Sequence, residues 1–127
     1  MSTQTDVMAL EKRFWTDGAE YYLRNVDAEC LVAFPDMAKV MTREQVAGSV
    51  KDMPRWSDLR IEPKGCVELG DGVAVVTYEA SAKRASGEPY RALVSSGYVR
   101  RGGAWKMAFH QQTPLAEQDA KSKAASG

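Results

Sequence analysis

The sequence predicts an α+β domain in which a strongly curved antiparallel sheet packs around three N-terminal helices. Three observations predict it. Apolar residues recur at helical spacing as far as Met53. From residue 59 onward the apolar period becomes two, and Gly-rich turns separate the segments so tightly that they must pair as antiparallel neighbours. Strands this long coil, and a coiled sheet needs something inside its curve; the helices are the candidates.

In the first helix, residues 5–17, Thr5 can cap, Asp6 suits the first turn, and Val7, Leu10 and Phe14 recur at helical spacing, with Met8 and Trp15 widening the stripe. Asp17-Gly18 breaks or bends it. Asp17 and Glu20 have capping-box spacing and open a second helix over 18–25, whose apolar face is Ala19, Tyr22 and Val26. Residues 28–34 suit a short strand, Pro35-Asp36 a turn and residues 38–41 a return strand. Thr42 and Gln45 form the capping box of a third helix, with Val46, Val50 and Met53 on one face and Pro54 as its stop. Four strands follow at 59–69, 73–84, 89–100 and 104–113, separated by Gly70-Asp71-Gly72, by Ser86 to Pro89 and by Gly102-Gly103. Pro63 marks the first of these as an edge strand or as bulged. Residues 116–127 have no apolar face, so a disordered, dispensable tail is expected after a single domain of residues 1–115.

The chain has 127 residues, the length of one domain. Its 17 basic and 17 acidic side chains cancel, which leaves no field to hold a phosphate backbone and excludes nucleic acid as an expected partner. Cys30 and Cys66 are isolated, forming neither a disulfide framework nor a metal pattern. No apolar run approaches the ~20 residues that span a bilayer, and no basic-then-apolar leader opens the chain. The expectation is a cytoplasmic protein with no membrane partner, no metal and no cofactor.

The chain's 1 histidine rules out a two-histidine metal or dehydratase site. There is no Gly-x-Ser-x-Gly elbow and no phosphate-binding Gly-rich loop. Strand alternation places Ala108, His110 and Gln112 on one face of the last strand, and Trp105, Met107, Phe109 and Gln111 on the other. His110 can serve proton transfer near neutral pH, or it can be a structural hydrogen-bond partner; both remain open. Glu79 shares a face with Val75 and Thr77 while Tyr78 shares the other with Val76 and Ala80, so a regular strand cannot bring both into one pocket. Glu79 therefore reads as solvated or interfacial. Large apolar residues stand on both faces of the strands, Trp105, Met107 and Phe109 together on one, and the helices can cover only one face, so a homodimer is expected to cover the other.

Four stretches carry a resemblance: LEKRFW (10–15), LVAFP (31–35), MTREQVAGSV (41–50) and GGAWKMAFHQQTPL (102–115), the last with Gly103, Trp105 and His110 at telling places. Over about residues 5–115 the chain resembles the nuclear transport factor 2-like superfamily, in its polyketide-cyclase-like (SnoaL-like) and kinase-association-domain-like branch. The resemblance implies a cone-shaped domain, commonly a homodimer, with a pocket between sheet and helices. It puts the His110 and Gln112 face on the pocket side, within reach of Ser96 or Tyr98. It also puts Tyr22, Phe34, Trp56 and Tyr98 where helices face the sheet. Members include isomerases, dehydratases, cyclases, epoxide hydrolases, transport adaptors and oligomerisation modules, so the fold selects no chemistry. The paired acids of the isomerases and the Asp-Arg-Asp set of the epoxide hydrolases have no match here. Three readings follow. One is a small-molecule-binding or accessory domain whose apolar pocket takes a small, partly hydrophobic molecule. The second is an isomerase- or cyclase-type enzyme with His110 in proton transfer and Tyr98 or Gln112 holding an oxyanion. The third is an oligomerisation module.

Overall fold

Helix α1 (Thr3–Thr16) starts ahead of the expected Thr5, because the Ser2 side chain accepts the Thr5 N–H at 3.1 Å and caps it. Its buried stripe is Val7, Met8, Glu11, Phe14 and Trp15. Helix α2 (Ala19–Asn25) follows, N-capped by the backbone of Gly18 without any side-chain bond. The expected Asp17–Glu20 box does not form, since Arg13 holds the Asp17 carboxylate at 2.7 and 2.9 Å. Tyr21 and Tyr22 are the buried residues of α2, and Val26 already belongs to the next strand.

Strands β1 (Val26–Phe34) and β2 (Met37–Thr42) form the first hairpin. Helix α3 (Arg43–Val50) opens on the expected box, with the Thr42 hydroxyl on the Gln45 N–H at 3.1 Å and the Gln45 side chain on the Thr42 N–H at 2.9 Å. The helix ends at Val50, so Met53 falls beyond the face it was expected to share with Val46 and is 58% exposed. The long strands are β3 (Ser57–Glu68), β4 (Val73–Lys83), β5 (Pro89–Arg101) and β6 (Ala104–Pro114). The β5–β6 link uses Gly102 and Gly103 at φ +56° and +84°, the positive pair that a tight hairpin requires.

The computed structural model describes residues 2–115, and the tail expected at 116–127 lies outside the described residues. One sheet runs β2-β1-β6-β5-β4-β3. All its neighbours are antiparallel except β1 and β6, which pair in parallel and join the short hairpin to the long meander. Pro63 lies on edge strand β3, and the register shifts between Pro63 and Gly65, as a residue without an N–H demands. The inner face carries Ala74, Val76, Tyr78, Ala80 and Ala82 of β4 and Ala92, Val94, Ser96 and Tyr98 of β5, all buried under the helices. Among the described residues no helix is long and apolar enough to cross a membrane.

Strand β6 corrects the expected alternation. Tyr98 pairs with Met107 and Gly97 with Phe109, so Ala108 is an additional residue opposite a single step of β5. Such a bulge inverts the inward parity of everything on one side of it. Trp105 and Met107 consequently share the inner face with His110 and Gln112, and both are buried. They do not take the outer face, where Phe109 and Gln111 remain. Phe109 lies over Gly97, where an added Cβ would stand 3.2 Å from the Phe109 Cβ.

Candidate functional site

Glu11 is the residue that sequence reasoning missed. It follows Val7 by four and precedes Trp15 by four, which places it on the buried stripe of α1. An acid at that spacing within an apolar stripe was the available signal. Its side chain is fully buried. Oε1 accepts the Tyr78 hydroxyl at 2.6 Å and the Ser96 hydroxyl at 2.8 Å, and Oε2 accepts the Tyr98 hydroxyl. Trp15 Nε1 donates in turn to the Tyr78 oxygen at 3.0 Å. Burial first, and the Glu11 charge second, push both phenols well above the ordinary tyrosine value, so they stay protonated as donors.

The network continues to His110. Its Nδ1 lies 2.8 Å from Ser96 Oγ. The Ser96 proton is directed at Glu11, so Nδ1 is the donor in that pair. His110 Nε2 then has a lone pair, which accepts from Gln112 Nε2 at 3.0 Å. Gln112 Oε1 accepts the Tyr90 hydroxyl at 2.8 Å. Every proton is assigned once, and the assignment fits a neutral imidazole. Burial lowers the His110 pKa from its ordinary 6.5, with the Glu11 charge acting against the shift.

This chain of polar groups backs onto a cavity of about 290 Å³ between the helices and β1, β2 and β6. Its walls are mainly aromatic and aliphatic, with Ser49, Arg55, His110 and Gln112 as the polar exceptions. Of the residues expected at a site, Tyr22, Phe34, Trp56, His110 and Gln112 line the cavity together. Ser96 and Tyr98 do not. Ser96 stands behind His110, its oxygen between the imidazole and Glu11, and the Tyr98 hydroxyl is committed to Glu11. The expected oxyanion role of Tyr98 is thereby removed. Glu79 lies on the opposite face, 2.5 Å from Arg91.

Arg55 was not foreseen. Its Nε donates to the Asp17 carbonyl at 2.9 Å, and its Nη2 to the Phe14 carbonyl at 2.6 Å and the Tyr22 hydroxyl at 2.9 Å. It thereby satisfies carbonyls left unpaired where α1 ends. The Tyr22 hydroxyl also donates to Phe14 O, and burial raises its pKa to about 12 against the opposing Arg55 charge. Among the described residues no group of three metal-ligating side chains stands together.

No family model matches the sequence, and no curated relative does. Solved structures do match in three dimensions. An NTF2-like protein of unknown function from Prochlorococcus marinus superposes with a TM-score of 0.76 at 16% identity, over 94% of this chain and 99% of that one. A ketosteroid isomerase-like protein from Erwinia carotovora atroseptica gives 0.71 at 16% identity, over 89% and 93%. An NTF2-like protein from Cytophaga hutchinsonii gives 0.70 at 13% identity, over 91% and 100%. With its six-stranded mixed sheet curved over three helices, the chain has the nuclear transport factor 2-like fold.

Proposed function

We infer that the chain is a small-molecule-binding domain, and that its ligand is a small, partly hydrophobic molecule held between sheet and helices. One observation carries this reading: an apolar cavity of about 290 Å³ in which a few polar groups, His110 and Gln112 foremost, converge on one wall. That is the composition of small-ligand sites, near the lower end of their usual size of about 300–1,000 Å³. A space of this volume counts against a purely oligomerising role, for which a filled interior would serve as well. A homodimer through the outer sheet face belongs to the same reading.

A second reading, a proton-transfer enzyme, is favoured by one further observation: the buried Glu11 carboxylate reaches His110 through Ser96. A neutral imidazole with its lone pair at Nε2 is a competent base once a ligand donor displaces Gln112. One fold neighbour is named a ketosteroid isomerase-like protein, in keeping with chemistry of that kind. Glu11 itself does not line the cavity, so the direct base in this reading is His110.

Native mass spectrometry of protein purified from its natural host tests the binding reading, with His110→Ala alongside. The expected result is a retained small molecule on the parent chain, lost from a variant that still unfolds cooperatively. A parent chain that carries nothing and binds no apolar probe refutes the reading.

A further inference from the structure

The cavity and the groove beside it are uneven in charge. Arg55 is the one charged residue among the cavity's described lining. An adjoining surface groove shares Ser49, Arg55 and Trp56 with the cavity and adds Arg84. Neither space has an Asp or Glu among its described lining residues. In a chain whose 17 basic and 17 acidic side chains cancel, this is a local cationic site.

Both guanidinium groups are oriented, and neither meets an acid among the described residues. The three hydrogen bonds from Arg55 Nε and Nη2 fix its plane, and its Nη1 has no partner among the described residues. The Arg84 guanidinium lies 5.0 Å from the ring centres of Trp56 and of Tyr90, which stack on each other at 4.9 Å. Among the described residues neither arginine has an ion-pair partner. The acids whose charge is felt at the neighbouring Tyr22 are already engaged: Asp17 by Arg13, and Glu11 by three hydroxyls. A planar guanidinium with donors to spare, at the mouth of an apolar cavity, matches a planar oxyanion on an apolar stem. A monoanion suits the wall better than a phosphate dianion, because few other donors stand nearby to replace the lost water.

We propose that the site takes a small carboxylic acid as its anion, the apolar body in the cavity against Trp15 and Trp56 and the carboxylate at Arg55 and Arg84. The proposal rests on the small-molecule-binding reading and narrows it to a substrate class. It makes the arginines selectors of charge, while His110 and Gln112 read the far polarity of the ligand.

Two matched probes test it: 3-phenylpropionate and its neutral counterpart 3-phenylpropan-1-ol. Binding is followed by calorimetry and by the fluorescence of Trp15 and Trp56, both of which line the cavity. The acid is expected to bind at least about tenfold more tightly than the alcohol, a difference of ~1.4 kcal/mol. Arg84→Gln, at an exposed position, should shrink that preference severalfold by weakening the acid more than the alcohol. Arg55→Gln should abolish it; because Arg55 also satisfies the end of α1, the Arg84 variant decides if the other unfolds. An alcohol that binds as well as the acid overturns the proposal and leaves the binding reading standing. So does an acid preference untouched by Arg84→Gln, or tighter binding of phenyl phosphate than of the carboxylate. Failure of every probe to bind overturns the proposal and the binding reading together.

Discussion

Glu11 is a carboxylate in a place where a helix of this kind ordinarily offers an apolar side chain. Its two oxygens accept from three hydroxyls contributed by β4 and β5, so one residue of α1 is fastened to two strands. Removing the acceptor leaves buried donors unsatisfied, and each such group costs about 1–3 kcal/mol. Glu11→Ala is therefore expected to lower stability by about 3 kcal/mol or more in urea unfolding. His110 adds a dependence on pH. Its folded pKa is depressed below 6.5, so on acidification the unfolded chain takes up a proton before the folded one does. The stability held by the neutral ring is complete above about pH 6.5 and is lost as the pH falls from there through the folded value. Unfolding measured at pH 7.5 and 5.5 should show the lower stability at 5.5, with the difference reduced in His110→Gln. The Asp27 carboxyl, held below the usual carboxylate range by Arg101, acts in the same direction but in a more acid window. A profile that stays flat between those two pH values would show that His110 is not held neutral by burial.

At the scale of elements, the bulge in β6 decides which side chains meet the cavity. Met107 is buried beside it while Phe109 lies on the other face. Met107→Ala should cost about 2–5 kcal/mol, as large-to-small changes in a core do, and Phe109→Ala should cost clearly less. A regular strand requires both residues to behave alike, so equal losses would contradict the bulge. This is also where legibility in the sequence ends. The Thr42–Gln45 box, the Gly102-Gly103 hairpin and the Pro63 edge are local signals, set by a few adjacent residues, and each was readable. Asp17 does not cap α2 because a competing partner, Arg13, sits one turn back. The bulge has no local mark in AWKMAFHQQ, since it is defined by the pairing of Met107 and Phe109 with successive residues of β5. The parallel junction of β1 and β6 is likewise a long-range event. Five of the seven expected site residues line the cavity because their faces were set by short-range alternation or by the resemblance. Ser96 and Tyr98 share the right face yet lie deeper, turned toward Glu11 on the facing helix.

At the scale of the whole molecule, the outer face of the sheet carries apolar side chains that are exposed among the described residues. Val40, Leu31, Phe109, Gly97, Val75 and Val67 are consecutive cross-strand neighbours, forming one apolar row through all six strands. Val40, Leu31 and Val67 are 57%, 47% and 55% exposed, so the row is open to water toward both its ends, while Phe109 and Val75 are half-buried and Gly97 is covered at its centre. Monomers seldom leave a contiguous apolar stripe of such reach uncovered. Leu93, 38% exposed, and the Glu79–Arg91 pair lie on the same face. A face that carries an apolar row together with both signs of charge can complement itself across a two-fold axis, which is the geometry of an isologous dimer. The reason for expecting a dimer thus shifts from Trp105 and Met107, which face inward, to a row in which Phe109 is the central large side chain. Light scattering across micromolar concentrations should give twice the chain mass. Leu31→Glu or Phe109→Glu should give half of that while unfolding stays cooperative, because both side chains point away from the core. A parent chain that remains monomeric throughout that range would remove the dimer, and the row would then need another partner to cover it.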